Sequence, residues 1–130
     1  ARAEKNVSRP PVALMNERAA ALGMQSSVFK NPTGLPARGH VSSAHDLAIL
    51  ARAIISTFPK YYGLYAEREF SYNGITQQNR NGLLWRDPSV DGVKTGHTKS
   101  AGYCLVVSAK RGDMRLGQEL FPASGQVGGA

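Results

Sequence analysis

One cysteine, Cys104, stands in 130 residues, so no internal disulfide can staple the chain. Acidic side chains are also scarce, nine against sixteen Lys and Arg, which leaves a net charge of +7. That balance permits nucleic acid, anionic envelope polymers or acidic lipid as partners. Nucleic acid is disfavoured, because the basic residues are dispersed and no zinc-finger spacing, aromatic–basic sheet signature or recognition-helix pattern accompanies them. Long apolar runs are missing too. None approaches the length that spans a bilayer, and residues 1–5 lack the apolar core of a signal peptide. Histidine is limited to His40, His45 and His97, with no ligand spacing and no cysteine near the first two, so no metal site is expected. No phosphate-binding glycine loop or dinucleotide fingerprint is present, and no cofactor is expected.

What is present suits one domain. An apolar share of 42% with 19% charged residues matches an ordinary soluble globule, and the length allows one real core. Val12, Met15, Ala19 and Leu22 recur at helical spacing after Pro10-Pro11, and Gly23 supplies a left-handed stop. Ser27-Val28-Phe29-Lys30 reads as a short extended piece, closed by the turn Asn31-Pro32-Thr33-Gly34. Ser43-Ala44-His45-Asp46 matches a capping box and predicts that serine and aspartate both satisfy first-turn amides. Leu47, Leu50, Ala51, Ile54 and Phe58 then form one apolar stripe, which Pro59 ends.

The second half alternates. Tyr61, Tyr62 and Tyr65 read as a connector packed on the core rather than a stacking platform. Phe70 and Tyr72 lead into the hairpin turn Asn73-Gly74. Asn79, Arg80 and Asn81 precede the apolar anchor Leu83-Leu84-Trp85; a loop bonded to itself and side chains aimed into a cleft stand level there. Residues 103–109 form the most apolar strand, with Cys104 as a packed strand residue. Arg111-Gly112-Asp113 turns the chain, and Met114-Arg115-Leu116 starts a returning strand. The sequence beyond Leu116 has no core-forming period, so residues 117–130 are expected to be a disordered tail, leaving the strand at 103–109 unpaired on one edge. That edge implies marginal folding.

The chemistry centres on Val90-Asp91-Gly92-Val93-Lys94-Thr95-Gly96-His97-Thr98. In an extended chain Lys94 and Gly96 face one way and Thr95 the other unless the strand bends at the glycine. Glycine lets a second backbone approach, so a peptide can lie along this edge while Lys94 and Thr95 meet its anionic end. Lys-Thr-Gly is one of three motifs of serine enzymes that act on penicillins and cell-wall peptides. The other two, Ser-x-x-Lys and Ser-x-Asn, occur as letters in Ser27-Val28-Phe29-Lys30 and Ser71-Tyr72-Asn73. Both fail as sites. A strand sends Ser27 and Lys30 to opposite faces, whereas one helical turn is needed to bring the amine to the hydroxyl. Asn73, for its part, is needed by its turn.

Taken in order, a longer set of residues resembles one family. The set runs through Ala13-Leu14-Met15-Asn16, Leu22-Gly23-Met24, Phe29-x-Asn31-Pro32-Thr33-Gly34-Leu35 and Ser42-Ser43-Ala44-x-Asp46-Leu47. It continues through Phe70-x-Tyr72-Asn73-Gly74-Ile75, Asn79-Arg80-Asn81-x-Leu83-Leu84, residues 90–98, Ala101-Gly102-Tyr103 and Met114-Arg115-Leu116. This stretch, residues 12–116, resembles the low-molecular-weight penicillin-binding proteins that act as serine D-alanyl-D-alanine carboxypeptidases.

The resemblance implies an α/β chain of the α+β type: a partial penicillin-binding/β-lactamase-like fold, an antiparallel sheet with flanking helices. It implies removal of the terminal D-alanine from peptidoglycan stem peptides through an acyl-enzyme, with β-lactams trapping the same serine, in the periplasm or cell envelope. Carried over, Lys94 and Thr95 bind the substrate carboxylate and Gly96 permits close approach. The His97 backbone amide becomes an oxyanion donor, and Arg80 a supporting cation. The family's nucleophile motif and its Ser-Gly-Asn motif both precede the helix that begins here near Val12. No catalytic residue is therefore expected in this chain, and it is expected to be inactive alone. Residues 1–11 and 117–130 do not resemble the family and read as sequence joined to an internal piece. A non-catalytic peptidoglycan- or anion-binding module remains the alternative.

Overall fold

The computed structural model describes residues 10–120, and side chains through residue 117. Helix α1, Pro11–Leu22, starts with proline at its first position, where a missing N–H costs nothing. It ends on Gly23 at φ 85°, whose N–H bonds back into the last turn. Asn16 then ties the helix to the extended piece after it. Its Nδ2 donates to the Phe29 carbonyl at 2.8 Å and its Oδ1 accepts from the Phe29 amide at 2.9 Å. A single antiparallel bridge, Val28 to Val41, closes this loop.

Helix α2, Ala44–Thr57, has Ser43 as its N-cap, the hydroxyl accepting from the Asp46 amide at 3.1 Å. Asp46 departs from the capping box expected of it. Its carboxylate reaches away from the helix and accepts from the Ser26 amide at 2.8 Å and the Ser27 hydroxyl at 2.7 Å. The reason is burial: at 2% exposure a carboxylate needs firm donors, and the 26–27 segment supplies them. After Thr57 the chain makes one more turn, α3, Pro59–Tyr62, and a 3₁₀ turn, Gly63–Ala66.

Strands β1, Glu69–Tyr72, and β2, Ile75–Gln78, form a hairpin whose residues are all exposed. Asn73 at φ 51° and Gly74 at φ 79° place both turn residues in the left-handed region, as a tight primed turn requires. A short helix, α4, Leu83–Arg86, buries Leu84 but leaves Trp85 45% exposed, so the anchor is Leu84 rather than the whole apolar triplet.

The main sheet is antiparallel, in the order β3, β4, β5: Val90–Thr98, Gly102–Arg111 and Met114–Leu120. Here the structure corrects two expectations. Residues 117–120 are strand and not tail, with Gly117 opposite Ser108 and Leu120 opposite Leu105. The apolar strand β4 is therefore paired on both sides. Ladder bonds come from the backbone, so Gly117, Gln118 and Glu119 can extend a strand without an apolar pattern. Residues 121–130 lie outside the described part.

Register places Gly92, Lys94 and Gly96 opposite Ser108, Val106 and Cys104, so these six share a sheet face. The stripe of α2 lies over that face without sealing it. Leu47, Leu50, Ala51 and Ile54 border an open apolar slot of about 300 Å³ with Val106, and Ala48 and Ile55 border a second of about 500 Å³ toward Arg115. Buried apolar residues are correspondingly few and scattered: Ala19, Met24, Tyr62, Leu84, Val93 and Ala101.

Candidate functional site

Lys94-Thr95-Gly96 lies on β3, an outer strand of its sheet: β4 runs along one edge, and no strand among the described residues runs along the other. Lys94 is exposed, and its Nζ donates to the Thr95 carbonyl. Thr95 is half-buried opposite Leu105. At Gly96 a Cβ would meet nothing within 4 Å, so the space beside the strand is open. His97 stacks on Tyr103 at 4.0 Å between centroids, across the ladder. A free edge with a cation, a hydroxyl and open space offers an extended peptide main-chain partners and its carboxylate a counter-charge. Four of the five expected binding residues, Lys94 to His97, are successive residues of this one strand. Arg80 is on a separate loop, exposed and without a hydrogen bond or ion pair among the described residues.

The asparagines flanking Arg80 turn inward, toward the loop and the strand. Asn79 donates to the Tyr65 and Glu67 carbonyls at 3.3 and 2.9 Å and accepts from the Asn81 amide at 2.9 Å. Asn81, 3% exposed, accepts from the Leu83 amide and donates to the Gly92 carbonyl at 3.3 Å. Of the two readings of this loop, self-bonding holds for the two side-chain oxygens, while both side-chain amides bond to neighbouring backbone outside it. Asn81 also grips β3 two residues before Lys94.

A second grip falls on the neighbouring residue. The Tyr62 hydroxyl donates to Asp91 Oδ1 at 2.8 Å, and Arg115 holds both Asp91 oxygens, at 2.8 and 3.0 Å. Arg115 also donates to the Ser108 hydroxyl at 2.9 Å and lies over the Tyr62 ring at 5.3 Å. The bidentate pair is about 30% exposed on each side, at 29% and 31%. Burial, together with the bond to Asp91, pushes the Tyr62 phenol up to about 12. The bonds it donates to Asp91 likewise hold the Arg115 guanidinium above its ordinary value. None of this cluster was among the expected site residues; its partners are too far apart in sequence to leave a local signal.

The serines of the two other motif look-alikes are both engaged in hydrogen bonds without a lysine amine. Ser27 Oγ sits 2.7 Å from both Ser42 Oγ and Asp46 Oδ2. Lys30 instead runs beside Gly39, where its Cε would stand 3.2 Å from an added Cβ. Ser71 Oγ pairs with Thr76 Oγ1 at 2.7 Å on the exposed hairpin. The Cys104 thiol is pushed up by burial, which suits a packed residue and not a nucleophile. Among the described residues no group of three or more His, Cys, Asp or Glu could hold a metal ion.

The chain as a whole is similar to known proteins. Escherichia coli DacA, a D-alanyl-D-alanine carboxypeptidase, is 52% identical over 106 residues, which cover 81% of this chain and 26% of that protein. Penicillin binding protein 5 from Haemophilus influenzae superposes with a TM-score of 0.81 at 44% identity, over 85% of this chain and 33% of that one. Penicillin-binding protein D2 from Listeria monocytogenes, solved in an ampicillin-bound form, gives 0.77 at 32% identity, over 92% and 48%. This chain thus spans about a quarter of the curated relative. The pattern of the D-alanyl-D-alanine carboxypeptidases matches residues 8–124, past both limits, 12 and 116, read from the sequence. With an α+β arrangement shared with solved penicillin-binding proteins and a family match over nearly its whole length, this chain belongs to the D-alanyl-D-alanine carboxypeptidase family.

Proposed function

We propose that this chain forms the substrate-carboxylate wall of a serine-type D-alanyl-D-alanine carboxypeptidase that trims peptidoglycan stem peptides in the bacterial cell envelope. The serine nucleophile is not among these 130 residues. The observation that carries the reading is the open edge of β3 at Lys94, Thr95 and Gly96. A stem peptide ending in D-Ala-D-Ala lies along that edge. Lys94 Nζ and Thr95 Oγ1 meet its terminal carboxylate, Gly96 gives its backbone room, and the His97 amide faces the scissile carbonyl as an oxyanion donor. Arg80 adds long-range positive potential. In the complete enzyme, a serine outside these 130 residues would attack the carbonyl of the penultimate D-alanine, forming the acyl-enzyme as the peptide bond breaks and the terminal D-alanine leaves; a β-lactam would acylate the same serine as its ring amide opens.

Ser27 supports the second half of the proposal, since its hydroxyl is held by a buried carboxylate and a second hydroxyl, with no lysine amine on it. Intact mass after incubation with a labelled penicillin tests this half. An unchanged mass is expected, and an adduct mapped to Ser27 would overturn it. The same open edge also fits a non-catalytic module that holds peptidoglycan stems or another anionic partner. Stem-peptide affinity without an acyl adduct, in a chain whose full-length gene encodes no nucleophile motif, would favour that module.

A further inference from the structure

Resting on that reading of β3, we infer that Tyr62, Asp91 and Arg115 form a clasp that positions Lys94, Thr95 and Gly96 for the peptide. These are positioning residues: none of them belongs to the binding edge itself. As an outer strand, β3 has a ladder only with β4 among the described residues. Beyond that ladder, and the packing of the 63–66 turn and α4 on the strand, its course is fixed by side-chain bonds at its ends. At the far end the strand passes into the 99–101 turn, where Thr98 Oγ1 accepts from the Ala101 amide at 3.0 Å. That bond is local and fixes only the turn.

The near end is different. Register shifts between Val90 and Gly92, which leaves Asp91 outside the regular ladder and free to turn its carboxylate to other partners. Those partners arrive from α3, through Tyr62, and from β5, through Arg115, which is itself anchored to Ser108 of β4. Asn81 adds a bond to the Gly92 carbonyl from the loop before α4. Gly92 completes the fit. A Cβ there would stand 2.6 Å from the Tyr62 hydroxyl and 3.2 Å from the ring carbon bearing it, so any larger residue would expel the phenol from Asp91. The residue two places before Lys94 is thus a glycine for the sake of the clasp, while Gly96 is open on its side.

A clasp that merely added stability would raise opening everywhere when cut. A positioning clasp raises it locally. The test is amide hydrogen exchange on the 130-residue chain and its Tyr62→Phe variant, beside titration of both with an N-acetylated peptide ending in D-Ala-D-Ala. Tyr62→Phe keeps the ring and removes the bond to a charged partner, so exchange at protected amides in residues 93–97 is expected to rise about tenfold. Exchange in the β1–β2 hairpin and in β4–β5 pairs is expected to stay as it was, while peptide affinity falls by a similar factor.

Gly92→Ala is expected to act in the same direction, and more mildly in the Tyr62→Phe background, where the clashing oxygen is gone. Should Gly92→Ala fail to fold, Tyr62→Phe decides alone. Unchanged exchange at residues 93–97, or an even rise across all strands, would overturn the clasp. A wild-type chain that ignores the peptide would instead overturn the proposed function, and the exchange pattern would still decide the clasp.

Discussion

The Tyr62 ring closes over Gly92, its hydroxyl 2.6 Å from where a Cβ on that residue would stand, and ends on the Asp91 carboxylate at 2.8 Å. One phenol thereby joins the connector after α2 to the start of β3. Burial and the carboxylate both oppose its ionisation, which pushes its pKa to about 12 from an ordinary 10.0.

The sign of the resulting pH dependence follows. A folded-state pKa above the unfolded one means the unfolded chain loses its proton first as pH rises. The contribution of Tyr62 is full below pH 10, declines between 10 and 12, and is gone above about 12. Phenolate absorbance should therefore show one of the five tyrosines titrating late. The wild-type melting temperature should fall more steeply over that window than that of Tyr62→Phe. Simultaneous titration of all five, with parallel curves for both proteins, would contradict this.

Asp46 and Ser27 yield a second expectation. Asp46→Ala empties a buried carboxylate site and removes the acceptor of the exposed Ser26 and half-buried Ser27, at a cost of about 1–2 kcal/mol. Ser27→Ala removes one donor and costs about 1 kcal/mol. Denaturant melts measure both. Because the pair is structural, Ser27→Ala should leave peptide affinity unchanged; a loss of affinity with unaltered stability would reverse the assignment.

Much of the local architecture could be read before the structure. Gly23, Ser43 and Pro59 marked helix ends because each acts on its own backbone, and Asn73-Gly74 marked a turn for the same reason. The Lys94-Thr95-Gly96 edge was legible as a motif within a long ordered resemblance. What escaped was non-local. Asp46 matched a capping box by spacing, yet its acceptors were claimed by residues nineteen and twenty positions earlier. The Tyr62–Asp91–Arg115 cluster joins residues 29 and 24 positions apart, beyond any periodicity. Strand β5 was missed beyond Leu116 because side-chain pattern was asked to report a backbone ladder.

The slot between α2 and the sheet makes a third expectation. Leu50 and Ile54 line an apolar opening of about 300 Å³, and Phe58 is 52% exposed at the end of the same stripe. The chain should bind an apolar reporter dye while its strands stay protected from exchange, and Leu50→Lys should reduce the signal severalfold. The expectation of marginal folding thus loses the bare strand edge it was based on, which β5 covers, and rests on this dye test of the helix–sheet interface. Absence of dye binding in the folded chain would contradict that view.

The central claim is that β3 presents the carboxylate-binding wall. Its most direct measurement is titration of the isotope-labelled chain with an N-acetylated peptide ending in D-Ala-D-Ala, read by amide chemical shifts, beside the same titration of Lys94→Ala. The account predicts shifts concentrated at residues 94–97 and an affinity that falls about tenfold or more in Lys94→Ala, as loss of a charge-assisted bond requires. Shifts elsewhere, or an affinity indifferent to Lys94, would contradict it.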